Sequence, residues 1–226
     1  MIKKHIPNFI TSLNLFSGCI AIYLAFQGNY EGAFIAILLS AVFDFFDGFA
    51  ARLLKAYSPM GKELDSLADV VSFGVAPGAI VFSLLSEINI SVWLPYLAFL
   101  IPVFSALRLA KFNIDERQTS SFIGLPTPAN AIFWAGLGFS YADFFMSNVW
   151  ILVALTLLSS YLLVAEIPMF ALKFKNKAWS TNKIQYLFLI GCAIILGIFQ
   201  LNAFAMLIGW YIILSLIISL LKKSKV

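Results

Sequence analysis

The chain has 226 residues, of which 62% are hydrophobic and 12% charged, and its mean hydropathy is +0.94; that leaves too little polar surface to cover a water-soluble globule. The formal charge of +4 is modest, and no nucleic-acid partner is expected. In lipid every backbone polar group must be bonded within its own segment or a closed barrel, so unbroken apolar runs of about 20 residues mean helices.

Eight spans are predicted, near Pro7 to Phe26, Tyr30 to Leu54, Leu64 to Leu85, Val92 to Phe112, Pro128 to Phe145, Val149 to Phe170, Lys183 to Phe199 and Ala203 to Leu221. The first run lacks a small-residue cleavage site after a short apolar core and is interrupted by Asn14, so it is expected to stay as a helix. Cys19 and Cys192 lie far apart inside apolar runs, without metal-ligand spacing, and read as packing residues. The fold class expected is all-α: a polytopic membrane bundle of about eight transmembrane helices, with residues 1–226 as a single integral-membrane domain.

The fifteen basic residues fall before the first span, after even-numbered spans, or at the tail. They are Lys3, Lys4, Arg52, Lys55, Lys62, Arg108, Lys111, Arg117, Lys173, Lys175, Lys177, Lys183, Lys222, Lys223 and Lys225. The odd-numbered turns, around Asn29, Glu87, Asp143 and Gln200, carry only neutral or acidic groups. By the positive-inside rule both termini and the basic loops face the cytoplasm, in the inner cell membrane. Trp93, Trp150 and Trp179 near span ends read as interfacial anchors, and Trp134 and Trp210 as packing.

Carboxylates within an apolar span are expensive and by default mark a polar site. Asp44 and Asp47, three apart in the second span, share one helical face, as do Asp65 and Asp69, four apart in the third. These antiparallel spans are joined by a short loop, so the four acids can converge near the cytoplasmic edge. Hard divalent cations offset their mutual repulsion, and magnesium in particular shares carboxylates with substrate phosphates. Gly48 and Ala51 leave space beside Asp47, and Gly61 one turn before Asp65. A bland alternative is ion pairing with Arg52, Lys55 and Lys62. Glu166, in the sixth span, is the other intramembrane acid; it is open to helix-packing hydrogen bonds or to an ammonium group.

Written in full, the stretch is Asp44-x-x-Asp47-Gly48-x-x-Ala51-Arg52, eight residues, then Gly61-x-x-x-Asp65-x-x-x-Asp69. At every fixed position it resembles the signature of the CDP-alcohol phosphatidyltransferase family. The resemblance extends over roughly the first six spans, residues 1–173, leaving residues 183–221 as two additional C-terminal helices. It implies the CDP-alcohol phosphotransferase fold, CDP-diacylglycerol as donor, and two divalent metal ions, Mg2+ or Mn2+. Asp44, Asp47 and Asp65 are then ligands to one or both metals, and Asp69 is the general base for the acceptor hydroxyl and a further metal contact. An acceptor alcohol attacks the lipid-side phosphorus and CMP leaves. Arg52 is expected at a phosphate or the nucleotide, with interfacial snorkelling as its alternative. Thr11 and Asn14, within the opening segment, are expected at cytidine or phosphate, with helix–helix hydrogen bonding as theirs. A homodimer within membrane lipid is the family expectation.

Three further segments resemble the serine-using branch of the family: Ser72-Phe73-Gly74-Val75-Ala76-Pro77-Gly78, Arg108-Leu109-Ala110-Lys111-Phe112-Asn113, and Phe122-x-Gly124-Leu125-Pro126-x-Pro128-Ala129. They imply L-serine as acceptor, with Arg108 at its carboxylate and Lys111 and Asn113 nearby; Arg108 and Lys111 read equally as positive-inside anchors. Gly74, Pro77 and Gly78 can loosen the third helix. Other acceptors such as glycerol phosphate, inositol phosphate or choline remain open at this level. So does a cation or proton transporter, although no internal repeat supports one.

Overall fold

The computed structural model describes residues 5–115, 122–172, 176 and 178–223. Lys3, Lys4, Arg117, Lys173, Lys175, Lys177 and Lys225 of the basic pattern lie outside the described residues.

Helices α1 (His5–Phe26) and α2 (Tyr30–Leu53) form an antiparallel hairpin. Gly28, at φ +70°, makes the turn, and the Asn29 side chain accepts from Gly32 N at 2.9 Å to cap α2. After α2, Ser58 caps α3 (Pro59–Asp69) by accepting from Gly61 N at 3.0 Å, with Pro59 in the first turn where its missing N–H costs nothing. The chain stays helical to Ile88, passing through a π-helical segment, Val70–Val75, into α4 (Ala76–Ile88).

The widened turn has a local cause. Pro77 has no N–H to donate one turn back, so the regular ladder is already broken at the join with α4. The π segment is also pressed from two sides. A Cβ on Gly18 of α1 would lie 2.7 Å from Ser72 Cα, and one on Gly74 would lie 3.1 Å from Ser105 Cβ. Small residues that let helix backbones approach are the usual means of packing in membranes, where apolar side chains gain nothing by leaving lipid.

A 3-10 turn, Leu94–Phe99, leads into α5 (Leu100–Ile114). Strand β1 (Phe122–Ile123) precedes α6 (Thr127–Ser147), which kinks at Tyr141, and α7 (Val149–Val164) follows. Strand β2 (Pro168–Met169) pairs antiparallel with β1. A 3-10 turn, Trp179–Thr181, leads to α8 (Lys183–Phe199), and a second, Gln200–Ala203, to α9 (Phe204–Lys223).

Among the described residues the regular structure is helical except for the β1–β2 pair. Among the described residues five segments are long and apolar enough to cross a membrane: His5–Phe26, Tyr30–Leu53, Pro59–Ile88, Leu94–Ile114 and Lys183–Leu221. Helix α7 is apolar but shorter. This is a multi-pass membrane architecture.

Three expectations need correction. The sixth span was expected to run to Phe170, but α7 ends at Val164. There the backbone turns extended: Leu125 N donates to Leu162 O at 2.8 Å and Gly124 N to Ile167 O at 2.9 Å, zipping β1 and β2 together. Glu166 therefore lies beyond the helix and is exposed rather than buried in a span. Cys19 faces outward from α1 instead of packing inside. Trp93 is 78%, Trp150 69% and Trp179 54% exposed, whereas Trp134 is fully buried, as a packing residue should be, and Trp210 is partly buried.

Candidate active site

One turn of α2 separates Asp44 from Asp47, and one turn of α3 separates Asp65 from Asp69, so each helix presents two carboxylates along one stripe. The short Leu54–Ser58 link folds the stripes against each other. Asp44, Asp47 and Asp65 each place a carboxylate oxygen within 4.8 Å of the others. Asp69 stands beside Asp44 and Asp65 at the inner end. Asp47 and Asp69 are buried, at 5% and 8% exposure.

Helix α1 supplies the polar contacts that hold this cluster. Thr11 Oγ1 donates to Asp47 Oδ2 at 2.6 Å, and Asn14 Nδ2 donates to Asp69 Oδ1 at 3.3 Å. Asn14 also anchors its neighbours, its backbone carbonyl accepting from Ser40 Oγ at 3.1 Å and Ser72 Oγ at 3.0 Å. Thr11 and Asn14, expected at cytidine or phosphate or else in helix–helix hydrogen bonds, make helix–helix hydrogen bonds to the carboxylates themselves.

The ion-pairing alternative is not realised: among the described residues no lysine or arginine forms a salt bridge with any of the four acids. Three converging carboxylates without a cationic partner make an oxygen-only donor set of the kind hard divalent cations take. The cluster can hold a metal ion.

Beside it opens a hollow of about 210 Å³, bounded by α1, α2, α3 and the Ala56–Ser58 loop. Thr11, Asp47, Gly48, Ala51, Gly61 and Asp65 all reach its wall. An added Cβ at Gly48 would meet nothing closer than the Arg52 guanidinium at 3.8 Å, so the expected space is there and the exposed Arg52 folds back over it. Gly61 differs. A Cβ there would come within 2.9 Å of Asn8 Oδ1 and 3.0 Å of Ser58 Oγ, so its smallness serves close packing of the α3 start against α1.

Sequence reasoning did not pick out Asn8, Tyr57, Ser58 or Lys62 as lining residues; the Ser58-Pro59 cap was the available signal. On its opposite side α2 turns phenylalanine outward, with Phe45 62%, Phe46 49% and Phe49 47% exposed.

The three residues expected at an acceptor part company. Arg108 is only 6% exposed and turns inward; its Nη1 donates to Thr127 Oγ1 at 3.2 Å, and its guanidinium lies over the Phe112 ring, 5.0 Å from the centroid. It is near enough to Asp69 to feel that charge. Lys111 pairs instead with Glu166. Asn113 Nδ2 donates to Ser66 Oγ at 2.8 Å, next to Asp65 in sequence.

Residues 4–158 match the CDP-alcohol phosphatidyltransferase family. A CDP-diacylglycerol--serine O-phosphatidyltransferase of Bacillus subtilis (strain 168) is 39% identical over 168 residues, 73% of this chain and 89% of that protein. One of Methanocaldococcus jannaschii is 34% identical over 194 residues, 85% of this chain and 84% of that protein. One of Mycobacterium leprae (strain TN) is 33% identical over 174 residues, 73% of this chain but 57% of that longer protein. With the family match running through the four aspartates and the helices that carry them, the chain belongs to the CDP-alcohol phosphatidyltransferase family.

Proposed function

We propose that this protein transfers the phosphatidyl group of CDP-diacylglycerol to the hydroxyl of L-serine, forming phosphatidylserine and releasing CMP. The observation that carries the reading is the meeting of Asp44, Asp47 and Asp65, with no salt-bridged cation among the described residues, beside a hollow that opens along α2. Serine as acceptor is supported by the names of the relatives and by the inward-facing Arg108.

Asp44, Asp47 and Asp65, with Asp69 beside them, would hold two divalent ions, Mg2+ or Mn2+. When bound, such ions neutralise the donor diphosphate and the charge that develops on departing CMP. The remaining work falls to the chain itself. Asp69 accepts the proton of the serine hydroxyl as that oxygen attacks the lipid-side phosphorus, since a free alcohol is a poor nucleophile at neutral pH. Asn14 orients Asp69, and Thr11 orients Asp47. Gly48 and Ala51 admit the diphosphate to the helix surface, Gly61 keeps α3 tight against α1, and Arg52 grips a phosphate with its planar fork. Arg108 receives the serine carboxylate, while Lys111 and Asn113 stand nearby, held by Glu166 and Ser66.

In this reading residues 1–173 form the catalytic core and residues 183–221 add two helices. The chain crosses the inner cell membrane about eight times with both termini cytoplasmic, and works as a homodimer. Purified protein given CDP-diacylglycerol and Mg2+ or Mn2+ should release CMP only when L-serine is added. Asp69→Asn should keep CDP-lipid binding while turnover falls at least about 100-fold. Absence of CMP release with L-serine under every divalent ion supplied would reject the proposal.

A further inference from the structure

Asn130 is fully buried in the first turn of α6, yet neither its Oδ1 nor its Nδ2 has a hydrogen-bond partner. An amide with two donors and a two-lone-pair acceptor is costly to bury in this state, and native interiors rarely leave one so. Packing alone does not account for it. One turn further along the same helix, Trp134 is just as buried, and its Nε1 donates to Ser159 Oγ of α7 at 3.0 Å. Where α6 only needs to pack, it satisfies its polar groups.

The orphaned amide has company. Thr127, one turn before Asn130 on the same face of α6, accepts from Arg108. Arg108 Nε is itself buried without a partner, as is Ser105 Oγ one turn back on α5. Unspent hydrogen-bonding capacity is thus carried by both α5 and α6, which the Arg108–Thr127 bond joins, with Arg108 near enough to Asp69 to feel its charge. It includes a guanidinium donor for an anion and, in Asn130 Oδ1, an acceptor for a cation.

L-serine carries its hydroxyl, carboxylate and ammonium on two adjacent carbons and the carboxyl carbon, so the groups that read them must lie within about one helical turn, roughly 5 Å, of one another. Asp69 and Arg108 take the hydroxyl and the carboxylate in the proposed function. We infer that Asn130 accepts a hydrogen bond from the acceptor's ammonium and so selects an amino-bearing hydroxy acid over one without the amine. The inference rests on the proposed function and adds a specificity-determining residue to it.

The test uses the full chain in mixed micelles with CDP-diacylglycerol, titrating L-serine and, as a competitor, 3-hydroxypropionate, which is serine without its amine. In the wild type the competitor should bind at least about tenfold more weakly than serine, the worth of a hydrogen bond to a charged group. Asn130→Leu should raise KM for serine about tenfold or more, leaving KM for CDP-diacylglycerol and the inhibition constant of 3-hydroxypropionate within about twofold. Asn130→Asp, which keeps an acceptor oxygen, should stay within about threefold of wild type for serine and also serves if the leucine variant does not fold. An unchanged serine KM in Asn130→Leu would overturn the inference, and so would equal losses for serine and 3-hydroxypropionate. If instead the wild type releases no CMP with serine, it is the proposed function that has failed, and the inference falls with it.

Discussion

The Pro59–Ile88 helix and the Lys183–Leu221 hairpin are both apolar enough to cross a membrane, but 72% of the most apolar stretch of the first is buried inside the protein, against 22% in the second. The first is wrapped by α1, α5 and α6 and carries Asp65 and Asp69; α8 has no buried residue at all. Hydropathy does not separate them. What does is the cost of polar groups: a helix holding two carboxylates must be enclosed by partners that satisfy them, whereas a helix with only apolar side chains can be left to lipid.

The contrast is most severely tested at Asp65. Replacing it with Asn should lower CMP release at least about 100-fold with little change in thermal unfolding, because it removes a ligand charge that would hold the divalent ions rather than a packing group. Near-normal activity would mean that the enclosed acids are not the reaction centre. Gly18→Ala comes next. Its new methyl would lie 2.2 Å from Ser72 Oγ and 2.7 Å from Ser72 Cα, so α1 and the π segment must separate. The expected loss is about 1–3 kcal/mol, seen as a lower unfolding temperature in detergent.

Thr11→Val is gentler, removing the hydroxyl that donates to Asp47 and also lies within hydrogen-bond reach of the Pro7 carbonyl. It should raise the metal concentration needed for half-maximal activity about tenfold, as loss of a contact behind a metal ligand generally does. Gly197→Ala in α8 closes the series, since an added Cβ there meets nothing within 4 Å. Stability should stay within about 0.5 kcal/mol of wild type, and a larger drop would show that the outer hairpin is covered by something in solution.

The acidic cluster was legible in the sequence because its periodicity is a helical one: spacings of three and four put each pair on one stripe whatever surrounds it. Arg108 was legible only as a choice. A basic residue at a span end reads as an anchor in water until Thr127, nineteen positions away, is seen to receive its guanidinium. Glu166 was misplaced because the apolar run continues past it to Phe170, and hydropathy cannot register that the backbone has left helical geometry to pair with β1. Pro168 was the one local sign of that change. The π-helical turn belongs to the same class, since it depends on how closely α1 and α5 press on Ser72 and Gly74.

The phenylalanines on the outer side of α2 have a mechanical consequence. Phe45, Phe46 and Phe49 share a rigid rod with Asp44 and Asp47, so the height at which those rings settle in hydrocarbon also sets the height of the acids relative to the headgroup plane. A donor whose tails stay in the leaflet meets the cluster sideways at a fixed level, and bilayer thickness becomes a variable that tunes encounter without altering a single contact inside the protein.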